Sequence, residues 1–298
     1  MIPLVILTLN NIELIHPVCE AIRLNTINQK FHLIFIEQGS KDGTLEYLST
    51  LNFTHKTILR LPQNIGVSKG WNMAIRWIRR NMPEAKYIGF LNSDLRVEYN
   101  WLDPMIKVLK DKEKAGIVDN ILVDWNNPDF IQSDGPKVEE GLYAFPYHMG
   151  KQVNQSSLPV LWGTMACCVF KTEVFDEIGL FDENFLVYSS DFDIQIRMKL
   201  YGYEIWHCPL SKARHYTFYT CNREKKADSK LAYYCGHDGE YFSKKWGIDI
   251  IKEFRRNIGI DINSSLIDIH GVVGDFSPRN PEIYEYNMEQ ELNVKSII

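Results

Sequence analysis

The first half of the chain alternates between two periodicities, and that alternation limits the possible fold more than any other feature. β-Rich apolar runs at 4–9 (LVILTL), 31–39 (FHLIFIEQG), 56–62 (KTILRLP) and 86–92 (KYIGFLN) are separated by stretches at 12–26, 43–51 and 66–80 with helical spacing. In 66–80, Val67, Trp71, Ala74, Ile75 and Ile78 recur at three- and four-residue steps, while Lys69, Arg76, Arg79 and Arg80 fall on the outer face. Strands that alternate with helices form βαβ units, and these build a parallel sheet covered on both faces. Ligands of such sheets bind beyond the carboxyl ends of the strands. The polar residues that end the runs, Thr8, Asn10, Glu37, Asn92 and Asp94, all fall on that edge.

The second half changes character. Residues 120–160 are rich in Asn, Pro, Gly and aromatics, which predicts short strands and loops. A strand at 164–170, a short helix near 172–178 and a Gly179 stop follow. A helix is predicted from about Asp191 to Gly202, with Ser189 or Ser190 as its N-cap, then a strand at 203–207. Beyond 222 the chain is charged and helical, and the last ~45 residues carry little pattern and read as an arm or a cap.

A formal net charge of −5 argues against nucleic acid as a partner, because phosphate-backbone binding needs a basic face. The six cysteines, Cys19, Cys167, Cys168, Cys208, Cys221 and Cys235, form no CxxC pair. They read as free thiols in a reducing cytoplasm rather than a zinc site. The apolar start of MIPLVILTLNN is short, lacks a basic flank and runs into Asn10 and Asn11, so it reads as a first strand and not a signal peptide. No apolar run approaches the ~20 residues of a membrane-crossing helix. The expectation is a cytoplasmic protein, soluble or peripherally membrane-associated. Neither GxxxxGK[ST] nor GxGxxG after the first strand is present, which disfavours P-loop and dinucleotide enzymes.

The strand ending in FLNSD poses a question of charge. Asp94 either faces water or holds something positive. A hard divalent cation takes carboxylate oxygens and still accepts one imidazole, so His215 is a candidate partner. Like unit charges 4 Å apart repel by ~4 kcal/mol at an effective dielectric near 20. A phosphate beside Asp94 therefore calls for a cation between them. Asp191, at the head of a helix, has two readings. It complements the helix dipole, a role Asp193 is also positioned to fill, or it serves as a general base.

In order along the chain stand LVILTLNN, IFIEQGSKDGT, NIGVSKGWNMAI, YIGFLNSDL, WGTMACCVFKTEVFDEIGLFDENFLVYSSDFDIQIRMKLYGY and CPLSKARH. Together they resemble the family 2 glycosyltransferases with the GT-A fold, in particular the rhamnosyltransferase-like branch. The resemblance covers about residues 3–246, where EYFSKKWG is similar to that branch's closing helix. It implies an α/β fold: a GT-A, Rossmann-like, mostly parallel sheet flanked by helices, with a small antiparallel part and a C-terminal helical extension. The domain would span 1–246, with a nucleotide-binding half (1–115) and an acceptor and catalytic half (116–246); 247–298 would be the extension.

By the same resemblance Thr8 and Asn10 lie near the nucleotide, and Glu37 stands at the acidic position that reads the base, where the family usually has aspartate. Asp42-Gly43 forms the following turn. NSD replaces the Asp-x-Asp motif, with Asn92 near the ribose and Asp94 on the metal. Trp162 and Gly163 belong to the segment beneath donor sugar and acceptor. YSSDFD matches a Glu-Asp-x-Asp pattern in which Ser190 replaces the glutamate and Asp191 inherits the base role. His215 stands at the metal-binding histidine. Lys69 either approaches the diphosphate or faces solvent, as does Arg76. The tract REKKADSK (223–230) stands where such enzymes carry a segment that closes over the donor. The function implied is inverting sugar transfer from a UDP-, dTDP- or GDP-sugar to a carbohydrate acceptor, assisted by Mn²⁺ or Mg²⁺, with the extension a possible homodimer contact. Two alternatives stay open: a catalytically weak sugar-nucleotide binder, and a sugar nucleotidyltransferase.

Overall fold

Four parallel strands, β1 (Ile2–Thr8), β2 (Phe31–Glu37), β3 (Lys56–Arg60) and β4 (Tyr87–Leu91), alternate with α1 (Ile12–Asn25), α2 (Thr44–Thr50) and α3 (Val67–Asn81). The computed structural model describes residues 1–135, 156–160, 162–216, 228–246 and 295–297. Beside β4 lies β9 (Cys167–Lys171), antiparallel to it, then β6 (Ala115–Asp124) and β10 (Glu204–His215), parallel to each other. β5 (Leu95–Val97) closes that side antiparallel to β10, while β7 (Ile131–Ser133) pairs with β6 and β8 (Leu158–Val160) with β10. At the other edge β11 (Lys295–Ile297) runs antiparallel to β3. The expected α/β architecture with a mostly parallel sheet is what forms.

Side-chain alternation explains why helices cover both faces. Leu4, Ile6, Leu33 and Phe35 pack with Ile15, Val18 and Ile22 of α1 and Met105 and Leu109 of α4 (Leu102–Asp111). Val5, Ile34 and Ile36 point the other way, onto Trp71, Ile75 and Ile78 of α3 and Phe175 of α5 (Thr172–Ile178). Each fully buried side chain of this size contributes about 1.5–3 kcal/mol. Phe90 stands at the middle of the second cluster, with Trp71, Phe170, Phe175 and Phe181 at ring-centroid distances of 5.3–6.1 Å. The cysteines among the described residues, Cys19, Cys167, Cys168 and Cys208, are free and buried, and burial pushes the Cys19 thiol up to about 12.

β10 differs from its expected end at 207. A register shift between Cys208 and Lys212 carries the strand past Pro209, which cannot donate to the ladder, and delivers His215 opposite both Asp124 and Leu95. β9 begins at Cys167 rather than 164, because Gly163 and Thr164 are held by side chains instead of by the sheet. α6 (Ser190–Leu200) starts after Ser189, whose φ of +62° makes it the N-cap without a side-chain hydrogen bond. α7 (Asp228–Trp246) is the expected closing helix. The tract at 223–227 and the extension at 247–298, β11 apart, lie outside the described residues. Among the described residues no helix is long and apolar enough to cross a membrane.

The loop before α6 reaches across to α3. Val67 N donates to the Leu186 carbonyl at 2.8 Å. Gly66, with φ of +90°, permits that approach, because a Cβ there would lie 2.7 Å from the same oxygen. Gly66→Ala is expected to cost about 1–3 kcal/mol from backbone strain and the carbonyl clash, seen as a lower unfolding temperature in calorimetry.

Candidate functional site

The carboxyl ends of β1 and β2 meet in register, Thr8 opposite Glu37. Both side chains are buried, yet Thr8 Oγ1, Glu37 Oε2 and the nearby Asn11 Oδ1 make no hydrogen bond. Glu37 Oε1 accepts from Ser40 N at 2.5 Å, while Oε2 has only the Arg60 guanidinium, 3.9 Å away. A buried polar atom left unsatisfied costs about 1–3 kcal/mol. Three of them lie close together at one strand edge.

The loops here are held by their own side chains. Asn10, with φ of +49°, donates its N–H to Ser40 Oγ at 2.9 Å and accepts from Lys41 N at 2.8 Å. Asp42 accepts from Ile12 N at 3.0 Å and from both Thr44 N and Thr44 Oγ1. Burial acts to raise the Asp42 pKa, but these hydrogen bonds outweigh it and hold the carboxyl below its usual value. Lys69 is exposed on the first turn of α3. Arg76, further along, is bonded to Glu183 at 3.0 Å, a tie to the loop before α6 rather than a free phosphate ligand.

Asp94 and His215 are brought together by strand pairing. β5 begins one residue after Asp94, and β10 ends with His215 opposite Leu95. His215 Nε2 lies 3.4 Å from Asp94 Oδ1. The glutamine at 132 orients the ring. Its Nε2 donates to the His215 carbonyl at 2.9 Å, so its Oε1, 3.2 Å from His215 Nδ1, is the acceptor of the ring proton. With Nδ1 turned to Gln132, Nε2 is the ring nitrogen that faces the Asp94 carboxylate. Among the described residues no third His, Cys, Asp or Glu joins the pair. One carboxylate and one imidazole fit a hard divalent ion that keeps its other positions for water and phosphate oxygens.

The segment 162–166 connects this pair to the head of α6. Asn92 N donates to the Ala166 carbonyl at 2.8 Å, so the NSD turn lies alongside the segment. At its other end the Trp162 ring meets Phe192 edge-on, centroids 5.1 Å apart. Gln195 clamps Gly163 with two hydrogen bonds, accepting its N–H at 2.7 Å and donating to its carbonyl at 3.0 Å. A Cβ on Gly163 would press on Ile205 at 3.2 Å and Asp119 at 3.4 Å. Ser190 is buried. Asp191 is half-buried, and its carboxylate is met by backbone N–H groups, that of Phe192 at 3.0 Å and its own. Desolvation pushes its pKa up to about 6 despite those bonds. Asp193 behaves oppositely. It is fully buried and takes Arg197 Nε at 3.0 Å, Trp246 Nε1 at 3.0 Å and Lys245 Nζ at 2.7 Å. The structural part of the pair is therefore Asp193, and Asp191 is left with a nearly free carboxylate.

Residues 4–179, more than half of the chain, match the family model described as Glycosyl transferase family 2. The chain belongs to that family. The family 2 chain is 23% identical over 263 residues to "Uncharacterized protein y4gI" of Sinorhizobium fredii. The match covers 83% of this chain and 27% of that protein, so the chain spans about a quarter of the length of the curated relative it matches. Its fold is similar to that in the crystal structure of GalNAc-T7 with UDP, GalNAc and Mn²⁺, at a TM-score of 0.58 and 15% identity. That likeness covers 72% of this chain and 44% of the other, and concerns the fold alone.

Sequence reasoning missed several groups that shape the site of this family 2 protein. Gln132 and Gln195 gave no signal, since each acts on a segment far away in the chain. Asp119 did leave one: an aspartate inside the apolar run AGIVDNILVD. It is fully buried, accepts from Thr164 N at 2.7 Å and meets His207 Nδ1 at 2.8 Å, while His207 Nε2 meets Asp134 at 3.1 Å. Burial acts to lower the His207 pKa, but the carboxylates of Asp119 and Asp134 raise it to about 9. A charged imidazole between two aspartates thus anchors the floor on which Gly163 and Thr164 rest.

Proposed function

We propose that this family 2 protein catalyses inverting transfer of a sugar from a nucleoside-diphosphate donor, a UDP-, dTDP- or GDP-sugar, to a hydroxyl of a carbohydrate acceptor. The observation that supports the reading is that segment 162–166 touches the chain beside both groups: Ala166 takes Asn92 N, two residues before Asp94, and Trp162 meets Phe192, the residue after Asp191. Asp94 and His215 would hold Mn²⁺ or Mg²⁺, which when bound sets positive charge against the diphosphate and stabilises it as leaving group. Thr8 and Glu37 would meet the base with their unsatisfied oxygens, Asn10 and Asn92 the sugar of the nucleoside, and Lys69 the diphosphate. Trp162 and Gly163 would line the donor sugar, with Ser190 beside the acceptor. Asp191 takes the proton of the attacking hydroxyl on the face opposite the diphosphate. A carboxyl with a pKa of about 6 is ionised at neutral pH yet more basic than an ordinary aspartate, which suits a general base. The motif likeness to the rhamnosyltransferase-like branch makes deoxyhexose donors the first to try, and the Mn²⁺ bound to GalNAc-T7 makes that ion the first to add.

The test is nucleoside diphosphate release from a panel of UDP-, dTDP- and GDP-sugars with and without Mn²⁺, with NMR of the product anomer. Metal-dependent release from one donor class with inverted configuration is expected. Release of pyrophosphate, or a product of retained configuration, overturns the reading. The second reading, a catalytically weak sugar-nucleotide binder, rests on Ser190, a buried hydroxyl where the family carries a glutamate. Donor binding with neither transfer nor slow donor hydrolysis selects it.

A further inference from the structure

The loop that delivers Asp191 ends in an unusual anchor. Three consecutive backbone N–H groups, those of Leu186, Val187 and Tyr188, converge on one carboxylate, Asp238 of α7, at 3.0, 2.8 and 2.7 Å. Leu186 N also reaches the second oxygen at 3.2 Å, and His237 Nδ1 approaches Asp238 Oδ1 at 2.9 Å. Asp238 is fully buried. Successive N–H groups curled around an anion form a nest, and bonds to an ionised acceptor are about twice as strong as neutral ones. Directly after the nest come Ser189, in the left-handed region at φ +62°, then Ser190, whose N donates to the Tyr188 carbonyl at 2.8 Å, then Asp191.

The same helix grips the chain on both sides of Asp191. Upstream, Asp182 takes Lys245 at 2.7 Å and Tyr241 at 2.8 Å; downstream, Asp193 takes Lys245 and Trp246. From the opposite side Val67 N holds the Leu186 carbonyl. Three acids of this neighbourhood, Asp182, Asp193 and Asp238, are thus fully committed to fixing the backbone. Asp191, between them, is met by the backbone N–H groups of Phe192 and of Asp191 itself.

We propose that Asp238 is a positioning residue: by holding the N–H groups of 186–188 it fixes the turn that aims the Asp191 carboxylate at the acceptor hydroxyl. The inference rests on the reading of Asp191 as the base. An asparagine offers one uncharged acceptor oxygen: placed at Oδ2 it keeps Val187 N and Tyr188 N but leaves Leu186 N only the longer 3.2 Å bond, with an NH₂ turned toward it where Oδ1 stood. The turn then relaxes, and misplacement by about 1 Å is enough to cost 10²-fold in rate.

Asp238→Asn is therefore expected to lower kcat about 10–100-fold, with the affinity for nucleoside diphosphate plus Mn²⁺ within about twofold of wild type. The acid limb of the kcat profile should move to lower pH as the loosened carboxyl regains water. Asp238→Glu, which keeps the charge and both acceptors but shifts them by a methylene, is the variant that secures folding, and a smaller loss of kcat is expected. In an Asp191→Asn background the Asp238→Asn penalty should vanish, because the two act through one group. Wild-type kcat and pH limb in both Asp238 variants overturn the inference while leaving the base reading intact. A full additive penalty in the double variant, or a fall of kcat and donor affinity in equal proportion, also overturns it, since a merely structural role predicts those. If Asp191→Asn itself turns over like wild type, the base reading fails and this inference falls with it.

Discussion

Asp191→Asn is expected to lower kcat by about 10²–10⁴-fold, the usual contribution of a positioned base, with donor affinity within about twofold. The geometry explains the split. Asp191 sits at the head of α6, against the Trp162 end of the segment, whereas the unsatisfied oxygens of Thr8 and Glu37 lie at the ends of β1 and β2. In the wild type kcat should rise with pH through about 6 as the carboxyl ionises, and the asparagine variant should lose that limb. Stability should change in the opposite sense to activity. Folding raises the Asp191 pKa from ~3.9 to about 6, so its stabilising contribution is full below about pH 4 and is lost as pH rises through 6. At pH 8 the ionised, half-buried carboxylate costs on the order of 2 kcal/mol after allowance for solvent screening. Asp191→Asn should then unfold at a higher temperature than wild type at pH 8, with the gap closing toward pH 4. A variant that turns over like wild type removes the base assignment.

The second large effect belongs to Asp94→Ala. With Mn²⁺ present, calorimetry should show nucleoside diphosphate affinity falling by about 10²-fold or more, the scale of one lost unit-charge contact at an intermediate dielectric. Without Mn²⁺ the sign should reverse. The wild-type carboxylate repels the diphosphate, so the alanine variant should bind as well or better. This crossing of the two curves separates loss of a metal ligand from loss of structure. His215 keeps its Gln132 hydrogen bonds, and β5 keeps its pairing to β10, so the fold around the pair has no reason to change. Affinity unchanged by the substitution in both conditions would remove the metal from the account.

Much of this was legible along the chain, and for a local reason. The strands at 2–8, 31–37, 56–60 and 87–91 and the helices between them follow from the periodicity of their own side chains. Polar residues that end strands buried on both faces need partners, so Thr8, Glu37 and, just past β4, Asp94 draw attention to that edge before any contact is known. The helix ends at Gly179 and Gly202 were readable too, because φ of +81° and +86° suits glycine whatever lies nearby. The strand expected at 203–207 runs on to His215, and only the register shift beside β6 shows how it passes Pro209.

The layered α/β architecture and the acids worth suspecting follow from the spacing of neighbours in the chain. The sequence by itself could not separate Asp191 from Asp193, two residues apart on one helical turn. The tertiary structure did, because Arg197, Lys245 and Trp246 close on Asp193 and leave Asp191 with backbone N–H partners only. Nor did any local pattern foretell Gln132 turning the His215 ring, or Asp238 gathering three N–H groups from a loop fifty residues upstream. Such partners are chosen by distance in space, and a hydrogen bond's energy depends on its geometry and on the chemistry of its two groups, not on how far apart its ends lie along the backbone.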